Sequence, residues 1–398
     1  MRLDFLFPAY PPALDGIGDY TAHLAATLSG RHDVRVWTAQ TAATGSSEVR
    51  VCTVPALPQA AGLDAWTDRL CSDPPDWVVV QYNPFAYGTR GYAPELAPAL
   101  ARIREHAPAK QIALTVHEPF MPPDSIRHFI MSVWQRAQFK QLGRLADHLI
   151  MAIPQWVERF QSWFPDTPST YIPVGSNMPH LAYTQQEART ATGLPAHGCV
   201  LGLFGRGHPS RLFDHIRQGI HTLQRENMSP LLVYIGAGVD RVRQAFPDVP
   251  LHCTGPLDAP DVSRHLSALD VYLAPYHKGV STRRGAFLAG LQHALPVITT
   301  EGPQTDALLK QAGGTAFSMT PVDDANAFAD ALLHITRTPS IQRQLGRAAR
   351  SLYLDHFQWP VIAAQYETAL GITPMVPHHE LDPALLRRPL FSNLGATA

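Results

Sequence analysis

Short apolar runs alternate with segments of helical period along the first half of the chain. The runs Leu3 to Phe7, Val34 to Trp37, Trp77 to Val80, Ile112 to Val116 and Leu149 to Ile153 read as strands. Between them the apolar positions recur every three to four residues. Such alternation predicts an α/β fold with a parallel sheet. After Pro179 a polar stretch from His180 to His197 leads into a second series: Val200 to Phe204, Leu231 to Ile235, Leu251 to Cys253, Val271 to Leu273 and Pro296 to Thr299. The pattern starts again, so two doubly wound domains are expected, 1–185 and 186–350. Helical period returns at Asn326 to Ile335 and at Trp359 to Leu370. Residues 351–372 are expected to form a C-terminal helix packing back on the first domain, and the Pro-rich 373–398 a strap or loose tail. With 398 residues the chain suits two cores, and ligands of such sheets sit beyond the carboxyl ends of the strands, in a cleft where domains face each other.

Composition narrows the function. A formal net charge of -1 gives no basic field for nucleic acid. Cys52, Cys71, Cys199 and Cys253 form no C-x-x-C pair and read as reduced, and the nineteen histidines show no H-E-x-x-H spacing, so no metal is assigned. Asp4 interrupts the first apolar run and no stretch approaches the length of a membrane span, which predicts a cytoplasmic protein with at most peripheral membrane contact. The four lysines, at 110, 140, 278 and 310, are scattered, and no basic amphipathic helix stands out in the first domain.

Three stretches carry candidate chemistry. In "DGIGDY", Gly16 and Gly18 lie between a strand and a helix, where backbone N–H groups can approach an anion; a plain tight turn is the alternative. In "LFGRGHPSR", a strand and a glycine turn are followed by Arg206 and Arg211, whose guanidinium forks match phosphate geometry. In "HKGVSTRRGAFLAGLQHALPVITT", Ser281 or Thr282 is expected to cap a helix running to about His293, with Arg283 and Arg284 in its first turn. Cations there oppose the helix dipole by roughly 0.3–1 kcal/mol each. Either a bound anion or carboxylates such as Glu301 and Asp306 must relieve the conflict.

With these stretches in order, the chain resembles the GT-B glycosyltransferases of family 4, retaining enzymes that use nucleotide sugars. The resemblance runs from "FPAYPPALDGIGDYTAHLA" through "LTVHEP", "GRGHPSR", "YIGAG" and "TGPLDAPDVSRHLSALDVYLAPY" to "HALPVITTEG". It implies two Rossmann-like domains, the first for the acceptor and the second for the donor. It places Gly16 and Gly18, Arg206 and Arg211 on the donor diphosphate, His117 beside the transferred sugar, and Gly236, Gly255, Pro256 and Leu257 on the nucleoside. Arg206 and Arg211 count with His117 as catalytic.

The chain departs from the family's pattern at one point. The family's two glutamates, eight positions apart before a Gly-x-Pro-Val turn, fall on Ser281 and Ala289, and the turn's glycine on Ala294. The phosphate-facing backbone falls on Ser281, Thr282, Arg283, Arg284 and Gly285. The resemblance therefore implies transfer of a sugar from a nucleoside diphosphate sugar to a small-molecule, glycan or lipid-linked acceptor, with retention, no cofactor and no metal. The lost glutamates leave as alternative a catalytically silent module that binds a nucleotide or a partner enzyme. A GT-B-like sugar-nucleotide epimerase is a further possibility.

Overall fold

The computed structural model describes residues 1–40, 49–107, 110–207 and 209–373. The chain divides into two compact units, Met1–Asn177 with the segment from Trp359, and Met178–Gln358. The expected tail, apart from residue 373, lies outside the described residues, as does His208.

The first unit is built on seven strands: β1 (Arg2–Leu6), β2 (Asp33–Thr38), β3 (Arg50–Thr53), β4 (Trp77–Tyr82), β5 (Gln111–Val116), β6 (His148–Met151) and β7 (Ser169–Tyr171). All pair in parallel, in the order β3-β2-β1-β4-β5-β6-β7. The central strands are continuous apolar runs because both faces of a parallel sheet are covered; every residue of β4 is buried. Asp4 is inside the sheet, where its carboxylate accepts from Arg35 Nε and Trp37 Nε1, each at 2.7 Å.

The second unit repeats the plan with six parallel strands: β8 (Val200–Phe204), β9 (Leu231–Ile235), β10 (Leu251–Cys253), β11 (Val271–Ala274), β12 (Val297–Glu301) and β13 (Ser318–Pro321), in the order β10-β9-β8-β11-β12-β13. The winding reverses between β1 and β4 in the first sheet and between β8 and β11 in the second. At such switch points the loops after neighbouring strands diverge and leave a crevice.

Two boundaries differ from the sequence reading. The first unit closes at Asn177 rather than 185, because the next residues are bonded into the second: Gln292 Nε2 donates to Met178 O at 2.9 Å and the Leu181 amide to Ser263 Oγ at 3.2 Å. Residues 351–358 also belong to the second unit, within the helix Pro339–His356, and only the helix Trp359–Ala369 joins the first. Its Ile362, Ala363 and Tyr366 enter the core with Leu3, Phe5, Tyr20 and Leu24.

Candidate functional site

In the first unit the loop after β1 ends in the helix Gly16–Ser29, capped by Asp15. The Asp15 carboxylate accepts from the amides of Ile17 and Gly18, both at 2.9 Å. The helix start already has its anion, and these two amides, which the sequence offered to a phosphate, are taken. Gly18 is required by a close approach: a Cβ there would stand 2.9 Å from Ala9 O, whereas one on Gly16 would meet open space. Gly16 also fixes the end of the unit, its carbonyl accepting from Asn177 Nδ2 at 2.9 Å.

His117 follows β5. Its Nε2 lies 2.7 Å from Gln81 Oε1 and its ring stands edge-on to Tyr20, with centroids 5.0 Å apart. Burial lowers its pKa to about 3, so the imidazole is neutral. An amide oxygen accepts, so Nε2 carries the proton and Nδ1 keeps its lone pair. Behind this ring is a polar thread that the sequence did not disclose. Tyr366 Oη lies 3.0 Å from both Tyr20 Oη and Thr115 Oγ1, tying the last helix to β5.

In the second unit the predicted residues converge on the carboxyl ends of the strands. The turn after β8 bends on Gly205 (φ 137°) and Gly207 (φ 58°), with Arg206 exposed between them. A Cβ on Gly236, after β9, would come within 2.0 Å of Gly205 O, so the β8 and β9 turns touch backbone to backbone. The Gly236 amide in turn donates to Gly255 O, after β10, at 3.1 Å. This row of turns includes Gly236 and Gly255 of the proposed nucleoside pocket. Pro256 is exposed and Leu257 half-buried beside it.

Arg211 lies at the switch point. A short antiparallel bridge joins it to Tyr276, so the loop after β8 is stitched to the loop after β11. Its Nη2 donates to Phe204 O at 2.8 Å, and its guanidinium lies 4.3 Å from the Tyr276 ring centroid. Its Nη1 and the Tyr276 hydroxyl are both buried with no hydrogen-bond partner among the described residues. Arg284 stacks on the same tyrosine at 4.8 Å. Two guanidinium groups thus share one ring. Tyr276 was missed as a site residue although it stands in the quoted "YLAPY"; an aromatic in an apolar run gives no sign that it will bridge two loops.

The helix expected from Ser281 or Thr282 begins later, at Gly285, and ends at Gln292. The Thr282 amide is not part of it, because it donates to the Asp306 carboxylate at 2.5 Å. Arg284 occupies the cap position with non-helical backbone, and Arg283 precedes it, so neither cation sits in the first turn and the conflict with the dipole is smaller than expected. Arg283 reaches Gln304 Oε1 at 3.4 Å, and its charge counters the rise that burial imposes on the Asp306 pKa. Glu301 instead pairs with Lys310 at 3.2 Å. Ser281 is fully buried, its hydroxyl without a partner among the described residues, and Ala289 is fully buried within the helix. Neither position holds a carboxylate. Among the described residues no group of His, Cys, Asp or Glu is placed to hold a metal ion.

Residues 198–338 match the family described as "Glycosyl transferases group 1", and the second unit is therefore a glycosyltransferase domain. No curated protein matches the chain by sequence. Solved structures share the whole two-unit plan. Sucrose-phosphate synthase from Thermosynechococcus elongatus is 18% identical, over 92% of this chain and 98% of that one, with a TM-score of 0.71. WaaG, a glycosyltransferase involved in lipopolysaccharide biosynthesis, is 17% identical over 93% and 99%, with a TM-score of 0.66. Anabaena HepE in complex with UDP and glucose is 12% identical over 93% and 99%, also at 0.66. At these identities the likeness establishes the fold, GT-B, and the matched domain is that of a transferase enzyme.

Proposed function

We propose that this chain, with a glycosyltransferase domain in its second unit, moves a sugar from a nucleoside diphosphate sugar to an acceptor, with retention and without metal, in the manner of family 4. The observation that carries the reading is Arg211: a buried guanidinium at the switch point of the donor sheet, anchored through Nη2 and with no hydrogen-bond partner for Nη1 among the described residues. A buried cation with an unsatisfied N–H is costly unless an anion meets it. A departing diphosphate gathers negative charge as the glycosidic bond breaks, and donors held rigidly beside it stabilise that state more than the ground state. Arg206, exposed in the turn after β8, and Arg283 and Arg284, ahead of the helix Gly285–Gln292, extend the same positive field. Guanidinium groups take the part a divalent cation would otherwise play.

Asp15 already neutralises the first helix start, so we assign the phosphate contacts to the second unit and give Gly16 only space for close approach. His117 is read as a neutral hydrogen-bonding group toward a sugar hydroxyl, not as a charged acid. UDP, present with HepE, is the first nucleotide to test.

The test is release of nucleoside diphosphate from a panel of UDP-, GDP-, dTDP- and ADP-sugars with a chelator present, with the anomeric configuration of the product read by NMR. Arg206→Ala leaves an exposed site and should fold normally while losing on the order of tenfold or more in turnover; undiminished turnover in that variant and in Arg206→Ala/Arg211→Ala would refute the reading. The missing carboxylates at Ser281 and Ala289 favour a second reading, a silent nucleotide-binding module, which predicts diphosphate binding with no product from any donor.

A further inference from the structure

The first unit carries an outward apolar face of its own, on the helix Ile126–Leu145. Ile126, Phe129, Ile130 and Val133, spaced i, i+3, i+4 and i+7, are 84%, 58%, 53% and 57% exposed. They form one stripe along the first two turns. The side turned away from the stripe is buried at Met131 and Ser132 and, over the next two turns, at Gln135 and Gln138. Gln135 accepts from the Met121 amide at 2.7 Å and donates to Arg90 O at 3.0 Å, while Gln138 accepts from the Ala93 amide at 2.8 Å and donates to Tyr82 Oη at 3.1 Å. These bonds fix the rotation of the helix, so the apolar stripe faces solvent by construction. Further along, Phe139 and Leu142 are buried. Apolar residues on opposite sides cancel in a sequence average, which is why no amphipathic helix stands out there.

The charge carried by the helix itself has one sign. The helix holds Arg127, Arg136, Lys140 and Arg144 and no Asp or Glu. Exposed Arg90 stands beside it, on the turn that receives Gln135 and Trp134 Nε1. Arg90, Ile126, Arg127, Ile130, Met131 and Trp134 line a surface pocket of about 440 Å³. Asp124, just before the helix, is paired with His128.

We propose that this face docks on an anionic lipid surface, the apolar stripe entering the acyl boundary while Arg90 and Arg127 meet headgroup phosphates. A second copy is a poor occupant, because a two-fold contact would set this cationic patch against itself. Among the described residues no helix is long and apolar enough to cross a membrane, so contact through this face would be peripheral. The inference stands whatever the second unit transfers.

The test is flotation of the full chain with vesicles of phosphatidylcholine alone and of phosphatidylcholine mixed with phosphatidylglycerol, at low and high salt, beside size-exclusion chromatography. Binding is expected only to the mixed vesicles and should weaken with salt. Phe129→Ser/Ile130→Ser and Arg90→Glu/Arg127→Glu, all at exposed positions, should each reduce partitioning by about tenfold or more with an unchanged melting temperature. Failure of the wild type to float with mixed vesicles overturns the proposal, and so does unchanged flotation of both variants. A dimer in solution that Phe129→Ser/Ile130→Ser abolishes, with no vesicle binding, would overturn it in favour of a self-interface.

Discussion

Ala294 stands where the helix Gly285–Gln292 must end, and it adopts φ 54°, a left-handed backbone that alanine disfavours. The Leu295 amide donates to Gly290 O and the Ala294 amide to Leu291 O, both at 3.1 Å, the paired bonds of a Schellman end in which glycine is the usual left-handed residue. The turn cannot relax away, since Ala294 O is packed against Gly346 of the helix Pro339–His356, where a Cβ would stand only 2.2 Å from it. Left-handed backbone costs an L-residue roughly 1–2 kcal/mol. Glycine forfeits part of the gain, about 0.4–1 kcal/mol, to the freedom of its unfolded chain. Ala294 is exposed, so removing its methyl costs little burial. Ala294→Gly should therefore stabilise the second unit by about 0.5–1 kcal/mol, or about 1–4 °C for a unit of this size. Gly346→Ala should act in the opposite direction by about 1–3 kcal/mol, because two backbones would have to part. Urea and thermal unfolding of both variants give the comparison. Loss of stability in Ala294→Gly would refute the strained helix end.

Other outcomes follow from buried polar groups. His117 has a folded pKa of about 3 against an ordinary 6.5, so between these values only the unfolded chain holds the proton. Its contribution is full above 6.5 and is lost as pH falls toward 3, by up to ~1.4 kcal/mol per unit; His117→Asn should flatten the slope of urea-unfolding stability between about pH 7 and 5. Tyr366→Phe strands the Tyr20 and Thr115 hydroxyls and should cost about 1–3 kcal/mol in chemical denaturation. Asp306→Ala frees the buried Thr282 amide and should cost a similar ~1–3 kcal/mol, with hydrogen exchange at Thr282 accelerating.

The central strands were legible because parallel strands covered on both faces are largely apolar runs; nine of them, and the edge strand β10, lie where the runs predicted, within a residue or two. The three not foreseen, β3, β7 and β13, are at or beside sheet edges and read Arg-Val-Cys-Thr, Ser-Thr-Tyr and Ser-Met-Thr-Pro, without a continuous apolar signal. In the candidate site, the glycine turns could be read because positive φ and backbone contact leave few alternatives, as at Gly205 and Gly236. The helix start near Thr282 could not, because it is decided by Asp306, a carboxylate from another loop. Tyr276, Gln81 and Tyr366 act through partners far away in sequence, and a linear pattern carries no trace of them.

The central claim is that the loops at the carboxyl ends of β8 and β11 hold a nucleoside diphosphate through Arg206 and Arg211. Its most direct test is thermal denaturation of the wild type and of Arg206→Ala/Arg211→Ala with UDP, GDP, dTDP and ADP, chelator present, and with the matching nucleosides as controls. At about 100 times the dissociation constant, one diphosphate should stabilise the wild type by about 2.7 kcal/mol, its nucleoside far less, and the double variant should lose most of the shift. No shift with any diphosphate, or an equal shift in the folded double variant, would contradict the account.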